Sequence, residues 1–241
     1  MTWLARICFG LSAVFAVWTI VLVVLMGGNS PEPAAPITRG FETPILALEF
    51  AEEEADLAFI AGDAGAPLRA ELRRVQTLDV WFPIAYAGLA AWCFAGLGLT
   101  GRRIAWPGAL LAAATIPADW AENAVINEIL LRLGEGASVT ALLPDLALTT
   151  WIKWALIAAY ALVFALVMML EKRFLLSLPA LAGGTMILLT GITGGRALFA
   201  EMITLPLALF FLTILMAAML YLRASFKAET FPHESPRQVE S

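Results

Sequence analysis

Apolar stretches of about 20 residues recur along this chain, and each is long enough to cross the hydrocarbon of a bilayer as a helix. Lipid offers no partner to a backbone N–H or C=O, so such stretches must satisfy their hydrogen bonds internally. The expectation is therefore an all-α integral membrane bundle and not a barrel. Composition agrees: 61% of residues are hydrophobic and only 15% are charged, too few for the surface of a soluble domain.

Hydropathy in windows of about 19 residues marks six spans, at 6–26, 78–99, 104–130, 147–170, 175–193 and 200–222. The third carries acids, and the fifth is short and rich in Gly and Thr ("LAGGTMILLTGITGG"). The first span reads as a retained anchor, because its apolar core exceeds the roughly 7 to 15 residues of a signal peptide and no AxA-like site follows closely. Residues 1–223 then form one transmembrane bundle, with 27–76 as a large loop and 224–241 as a polar, disordered tail.

Arg6, Arg102, Arg103, Lys172, Arg173, Arg223 and Lys227 flank alternate span ends. The positive-inside rule then places both termini in the cytoplasm of a bacterial inner-membrane protein and the 27–76 loop on the other side. That loop holds nine acidic residues against Arg39, Arg69, Arg73 and Arg74, so nucleic acid is excluded as a partner. Thr43 and Pro44 form a helix-start signal ahead of "ILALEFAEEEADLAFIAG". At 100° per residue Leu46, Phe50, Leu57 and Ile60 share one stripe, with Glu53 inside it. Glu49 and Glu53 both read as helix-surface acids, with Glu53 the better candidate because of its place in the stripe. A second helix beginning at Pro67 is expected to run straight into the second span, completing an extracytoplasmic helical hairpin.

Chemistry concentrates in the third span. Thr115, Asp119, Glu122 and Asn123 recur at spacings of three and four and so share one helical face, while Glu128 points the opposite way. Pro117 removes one donor, which would leave carbonyls free to join that face. With 1.5 Å of rise per residue, Asp119 and Glu122 sit roughly 13 to 18 Å below the outer end of the span. Asp79 stands at the mouth of the second span with Tyr86 two turns along; Lys153 lies one to two turns into the fourth; Glu201, just after Arg196, enters the sixth. An ionisable group at a helix centre costs about 2.5 to 3.5 kcal/mol on insertion scales, so these side chains must face each other or water. Acids outnumber bases among them. The excess calls for a proton, a metal cation or an amine as the missing partner.

"LEFA" (48–51), "LDVWFPIAYAG" (78–88), "DWAEN" (119–123) and "KW" (153–154), in that order, resemble a family of uncharacterised bacterial multi-pass membrane proteins with FELA-like, LDxxFxxxY-like and DxxEN motifs followed by a Lys. The resemblance spans about residues 46–155. It implies that Glu49, Asp79, Tyr86, Asp119, Glu122, Asn123 and Lys153 occupy matched positions, and it brings no known activity.

Three readings follow. The first is binding or transport of a proton, cation or amine-like solute at a carboxylate and lysine cluster in the outer half of the membrane, where Asp79, Tyr86, Asp119, Glu122, Asn123 and Lys153 are the candidates and Glu49, Glu53, Arg196 and Glu201 are secondary ones. The second is a structural or accessory subunit, docked on another membrane protein, whose buried charges only fix helix register. The third is an intramembrane enzyme on a lipid-like substrate, with a carboxylic acid as proton donor, Lys153 as charge stabiliser and Tyr86 positioning the substrate. Neither a nucleophile elbow, a metal motif nor a phosphate loop accompanies the set, which weighs against an enzyme and calls for no cofactor. Cys8 and Cys93 read as small core residues, and His233 as a solvated tail residue. Trp151 and Trp154 read as interfacial anchors, and Gly191 and Gly195 as a GxxxG spacing.

Overall fold

The computed structural model describes residues 2–28 and 31–230, and among them it is all-helical, with no strand. Eight α-helices follow in order: α1 (Trp3–Met26), α2 (Pro44–Glu49), α3 (Ala66–Asp79), α4 (Phe82–Leu99), α5 (Ala105–Gly134), α6 (Leu143–Leu170), α7 (Phe174–Ile192) and α8 (Ala197–Thr230). Five segments are long and apolar enough to cross a membrane: α1, the joined α3 and α4, α6 with the turn before it, α7, and α8. The 30-residue α5 packs among them but carries too many acids to match them in hydropathy. His233 and the rest of the expected tail beyond Thr230 lie outside the described residues, and α8 stays helical through 224–230.

The long helices close a ring. α1 packs on α4, α4 on α5, α5 on α6, α6 on α7, α7 on α8, and α8 returns to α1 and α4. Their outward faces expose large apolar side chains such as Val14, Val24, Leu110, Leu175 and Ile192, a surface that suits lipid and not water. Inward faces hold Phe9, Phe94, Tyr160, Phe164 and Phe210, all fully buried. α4 comes close to α1 because glycines face the aromatic side chains of α1: a Cβ at Gly88 would stand 2.5 Å from the Phe15 ring, and one at Gly96 would stand 2.7 Å from Phe9. The GxxxG pair has another role, since α7 ends at Ile192 between its members and Gly195 adopts φ of 72° in the following turn.

A cap of short elements closes one end of the ring. The stretch expected to form one amphipathic helix from Pro44 onward breaks in two. α2 stops at Glu49, and a 3₁₀ segment, Glu54–Ile60, begins after an extended Glu53. The break has a local cause: Glu53 and Asp56 form a reciprocal capping box that starts a new helix where the old one would have continued. Burial would raise the Asp56 carboxyl, but hydrogen bonds from the Glu52 and Glu53 amides and the Thr38 hydroxyl, with Arg39 nearby, hold it below the ordinary carboxylate range. Arg39 itself adopts φ of 59° and ties the cap together, donating to the Phe50 carbonyl, to Glu52 at 2.6 Å and to the Gly194 carbonyl at 3.4 Å.

α3 and α4 join as the sequence suggests, with a break at Val80–Trp81. Pro83 follows and lacks the N–H that would continue the ladder, and the Val80 carbonyl accepts from the Trp120 indole at 2.9 Å. Pro117 does not interrupt α5. Both it and Ala113, whose carbonyl it leaves unpaired in the ladder, face the exposed side, so no backbone oxygen is delivered to the polar face.

The opposite end gathers the basic residues. Arg102 pairs with Glu171 at 2.6 Å, and the guanidinium groups of Arg102 and Arg173 each lie 4.8 Å from the Tyr221 ring. Gly88→Ala should force the Phe15 ring aside and destabilise the protein by about 1 to 3 kcal/mol. Gly10→Ala, with nothing within 4 Å of its new methyl group, should be neutral or gain up to about 1 kcal/mol. Melting temperatures of the two variants in detergent check the contrast.

Candidate functional site

The buried face of α5 is a single stripe of Gly108, Ala112, Thr115, Asp119, Glu122, Asn123, Ile126, Ile129, Leu130 and Leu133. Thr115 spends its hydroxyl on the Leu111 carbonyl, so the stripe's free polar groups begin at Asp119. Asp119, Glu122 and Asn123 replace apolar residues at core positions, and each is at most 5% exposed. Glu128 points away as expected and pairs with Arg132 one turn on.

Lys153 of α6, 6% exposed, supplies the positive charge. Its ammonium donates to Glu122 Oε2 and, at 3.1 Å, to Glu49 Oε1. Glu49 Oε2 accepts from the Trp154 indole N–H at 3.2 Å, and the Thr150 hydroxyl donates to the Glu49 carbonyl at 3.4 Å. One lysine thus ties α6 to α5 and to the cap. On the neighbouring face Tyr86 of α4 donates its hydroxyl to Asp119 Oδ2 at 2.6 Å, and Asn123 donates to Asp119 Oδ1 at 3.2 Å. Asp79, half-buried at the α3–α4 break, lies beside Asn123 and within electrostatic reach of Lys153 and Glu122.

Four carboxylates, Glu49, Asp79, Asp119 and Glu122, therefore surround one ammonium. Glu49 stands on the cap, outside the spanning helices. Burial pushes its carboxyl up and the Glu122 carboxylate adds to that; Lys153 pulls the other way, and the balance leaves it at about 8. Among the described residues three buried side-chain oxygens have no hydrogen-bond partner: Glu122 Oε1 and the Tyr160 hydroxyl in this cluster, and Gln76 Oε1 on α3. Among the described residues no group of three or more His, Cys, Asp or Glu is disposed to hold a metal ion.

Access differs at the two ends. On the cap side a surface groove of about 470 Å³ is lined by Glu52, Glu53, Glu54, Thr140 and Leu143 among others. It adjoins a cavity of about 40 Å³ whose wall includes Glu49, Phe50, Glu52, Trp151 and Gly194. Toward the basic end the site is closed by packed rings. Phe210 lies 5.8 Å from Tyr160 and 5.6 Å from Phe164, and Phe164 lies 6.0 Å from Phe94.

The structure brings Glu49, Asp79, Tyr86, Asp119, Glu122, Asn123 and Lys153 to one place, so the four motif segments within 46–155 meet in space. It separates the others. Glu53 is exposed and caps the 3₁₀ segment, because the helix whose stripe contained it ends before reaching it. Glu201 accepts from the Glu42 and Thr43 amides, both at 2.8 Å, and from the Thr43 hydroxyl, so it anchors the start of α2. Arg196 is exposed in the α7–α8 turn. Trp154 is no interfacial anchor: it is 8% exposed, bonded to Glu49, with Lys153 Nζ 5.0 Å from its ring centroid. Tyr160 was not singled out by sequence, although it stands seven residues, two helical turns, beyond Lys153 on the same face. Cys8 and Cys93 are buried free thiols, as expected of core residues.

Comparisons of this chain with protein-family models, with curated proteins and with solved structures find no match. Lys153→Met leaves Glu49 and Glu122 buried without their cation and should cost about 3 to 5 kcal/mol. Adding Glu122→Gln to it should recover part of that loss, whereas the two changes would simply add if the groups did not interact. Thermal melts of the single and double variants in one detergent measure the coupling.

Proposed function

We propose that this chain is a six-span protein of a bacterial inner membrane, with both termini in the cytoplasm, that binds and exchanges a proton or small cationic solute at the Glu49–Lys153–Glu122–Asp119 cluster. α5 is the sixth crossing on this reading, tolerated in lipid because its acids face the ring interior. The basic end, with Arg6, Arg102, Arg103, Lys172 and Arg173, is the cytoplasmic one, and the cap is outside. The resemblance to multi-pass proteins with LDxxFxxxY-like and DxxEN motifs fits this placement, since the matched residues are the ones that converge.

The observation that carries the reading is the mismatch of charge: four carboxylates against Lys153, with one Glu122 oxygen buried and unpartnered. A buried acceptor left unsatisfied costs about 1 to 3 kcal/mol, and crowded carboxylates repel. A proton or cation relieves both.

A structural role is the second reading. Its support is that Lys153 bonds carboxylates of two other elements and so pins α2, α5 and α6 together, as a packing device would. The two readings share a pH dependence and separate on the response to ligands. A carboxyl whose folded pKa lies above its unfolded value contributes stability that is complete below the unfolded value, near 4.5 for Glu49, and that is lost as pH rises through about 8. The melting temperature of the wild type should therefore fall between pH 5 and 9, and Glu49→Gln should flatten that fall. A panel of alkali cations and small amines, run on wild type and Glu122→Gln, completes the test. Equal ligand responses in both, with the variant merely less stable, would establish the packing network instead.

A further inference from the structure

Glu49 is the one carboxylate of the cluster that touches both the buried lysine and a cavity connected to the surface. The 470 Å³ groove and the 40 Å³ cavity share Ala51, Glu52 and Ala147 on their walls, and Glu49 lines the inner of the two. A cavity of that size has room for a water molecule. From it the polar path runs to Glu49, to Lys153 at 3.1 Å and on to Glu122, whose second oxygen is buried without a partner. Asp119, Tyr86 and Tyr160 follow, and beyond them stand the rings of Phe94, Phe164 and Phe210.

We propose that Glu49 is the port through which the buried network exchanges protons with the outer solution, by way of water held in the small cavity beside Trp151. The inference rests on the reading above, that the network is a protonatable site, and names both its ligand and its route. A hydronium ion in the cavity gives its proton to the Glu49 carboxylate and leaves as water. Lys153 then passes one of its three ammonium protons to Glu122 and takes the Glu49 proton in its place. The lysine ends as it began, Glu49 is again a carboxylate, and one proton has moved inward.

The groups facing Glu49 suit that role. Lys153 approaches from α6 and Glu122 and Asp119 from α5; on the cap, Glu52 shares the cavity wall and its charge is offset by Arg39, 2.6 Å away. Glu201 of α8 is engaged at the far end of α2. The acids at the mouth are otherwise occupied. Glu54 accepts from Ser138, Val139 and Thr140, which lower its carboxyl below the ordinary range, and Glu53 caps a helix. Glu49 is what remains as a proton acceptor within reach of water. Trp151 and Phe50, whose rings pack with centroids 5.3 Å apart, together form part of the wall of that cavity.

The test is infrared spectroscopy of full-length protein in nanodiscs, following the carboxylic acid C=O band from pH 5 to 9 and its shift after rapid transfer into D₂O. Glu49→Gln removes that residue's own share of the band, and Glu122→Gln identifies what remains. The expected result is a pH-dependent band whose remaining part, in Glu49→Gln, exchanges deuterium about tenfold or more slowly than in the wild type, equivalent to about 1.4 kcal/mol or more on the barrier. Trp151→Ala, which widens the cavity and leaves every titrating group in place, should speed the exchange. That second variant decides the matter if Glu49→Gln fails to fold. Exchange at the wild-type rate in both variants would overturn the port while leaving the protonatable network intact. Absence of any pH-dependent carboxylic acid band in the wild type would overturn the network reading, and the port with it.

Discussion

Four carboxylates of this bundle, Glu49, Asp79, Asp119 and Glu122, are arranged around one ammonium group. Lys153 lies on a helix otherwise apolar enough to cross a membrane, and its burial is tolerable only because Glu122 and Glu49 meet it from two other elements. Each contact needs a particular piece of architecture. Glu122 reaches it because α5 sits between α4 and α6 with its polar face turned inward, and Glu49 reaches it because α2 stops where it does. If α2 ran on as a regular helix, Phe50 and Glu53 would continue its periodicity and the chain could not turn out into the extended Glu53. The capping box of Glu53 with Asp56 is thus part of the site, although neither residue touches it.

The acidic run 52–54, seen in isolation, looks like a ligand-attracting surface. In the fold each carboxylate has a structural partner: Glu52 binds Arg39, Glu53 caps the 3₁₀ segment, and Glu54 fastens the turn before α6. Glu201 likewise spends both oxygens on the start of α2. These exposed or half-buried acids hold the cap over the bundle. The imbalance of charge survives only deeper, where Glu49, Asp79, Asp119 and Glu122 share a single cation.

Legibility in the sequence follows the same division. The α5 face could be read directly, because Thr115, Asp119, Glu122 and Asn123 fall at helical spacings in a span that must be regular helix for lack of other backbone partners. Lys153 and Tyr86 were legible for the same reason. Glu49 and Glu53 were ranked in the wrong order because periodicity was carried through a point where the chain leaves the helix, and a cap made of long acidic side chains gives a weaker signal than Ser or Thr would. Trp154 was misplaced because tryptophan near a span end usually marks an interface, and only the fold shows that Glu49 reaches down to meet it. Tyr160 had a readable signal, two turns from Lys153, but a lone tyrosine in a buried run carries no chemistry until its neighbours are known.

The two ends of the polar core are not equivalent, and that asymmetry bears on mechanism. Toward the cap, groove, cavity and Glu49 follow one another; toward the basic end, Tyr160, Phe164, Phe210 and Phe94 pack ring against ring with no polar side chain among them but the Tyr160 hydroxyl. Along α4, Phe94 lies about 12 Å beyond Tyr86, a distance that no single proton hop or side-chain reach covers. In this structure the small cavity beside Glu49 lies on the cap side of the cluster and the packed rings lie on the other. A protein that merely sensed or stored protons would need no more than this. One that carried charge across would have to part the ring layer, and the helices that supply those rings, α4, α6 and α8, are the ones that a change at Lys153 reaches through α6 and through Asp119 and Tyr86 on α4. The ring layer and the charged cluster share α4 and α6, so on the proposed reading it is the charge state of the cluster that would bias any opening.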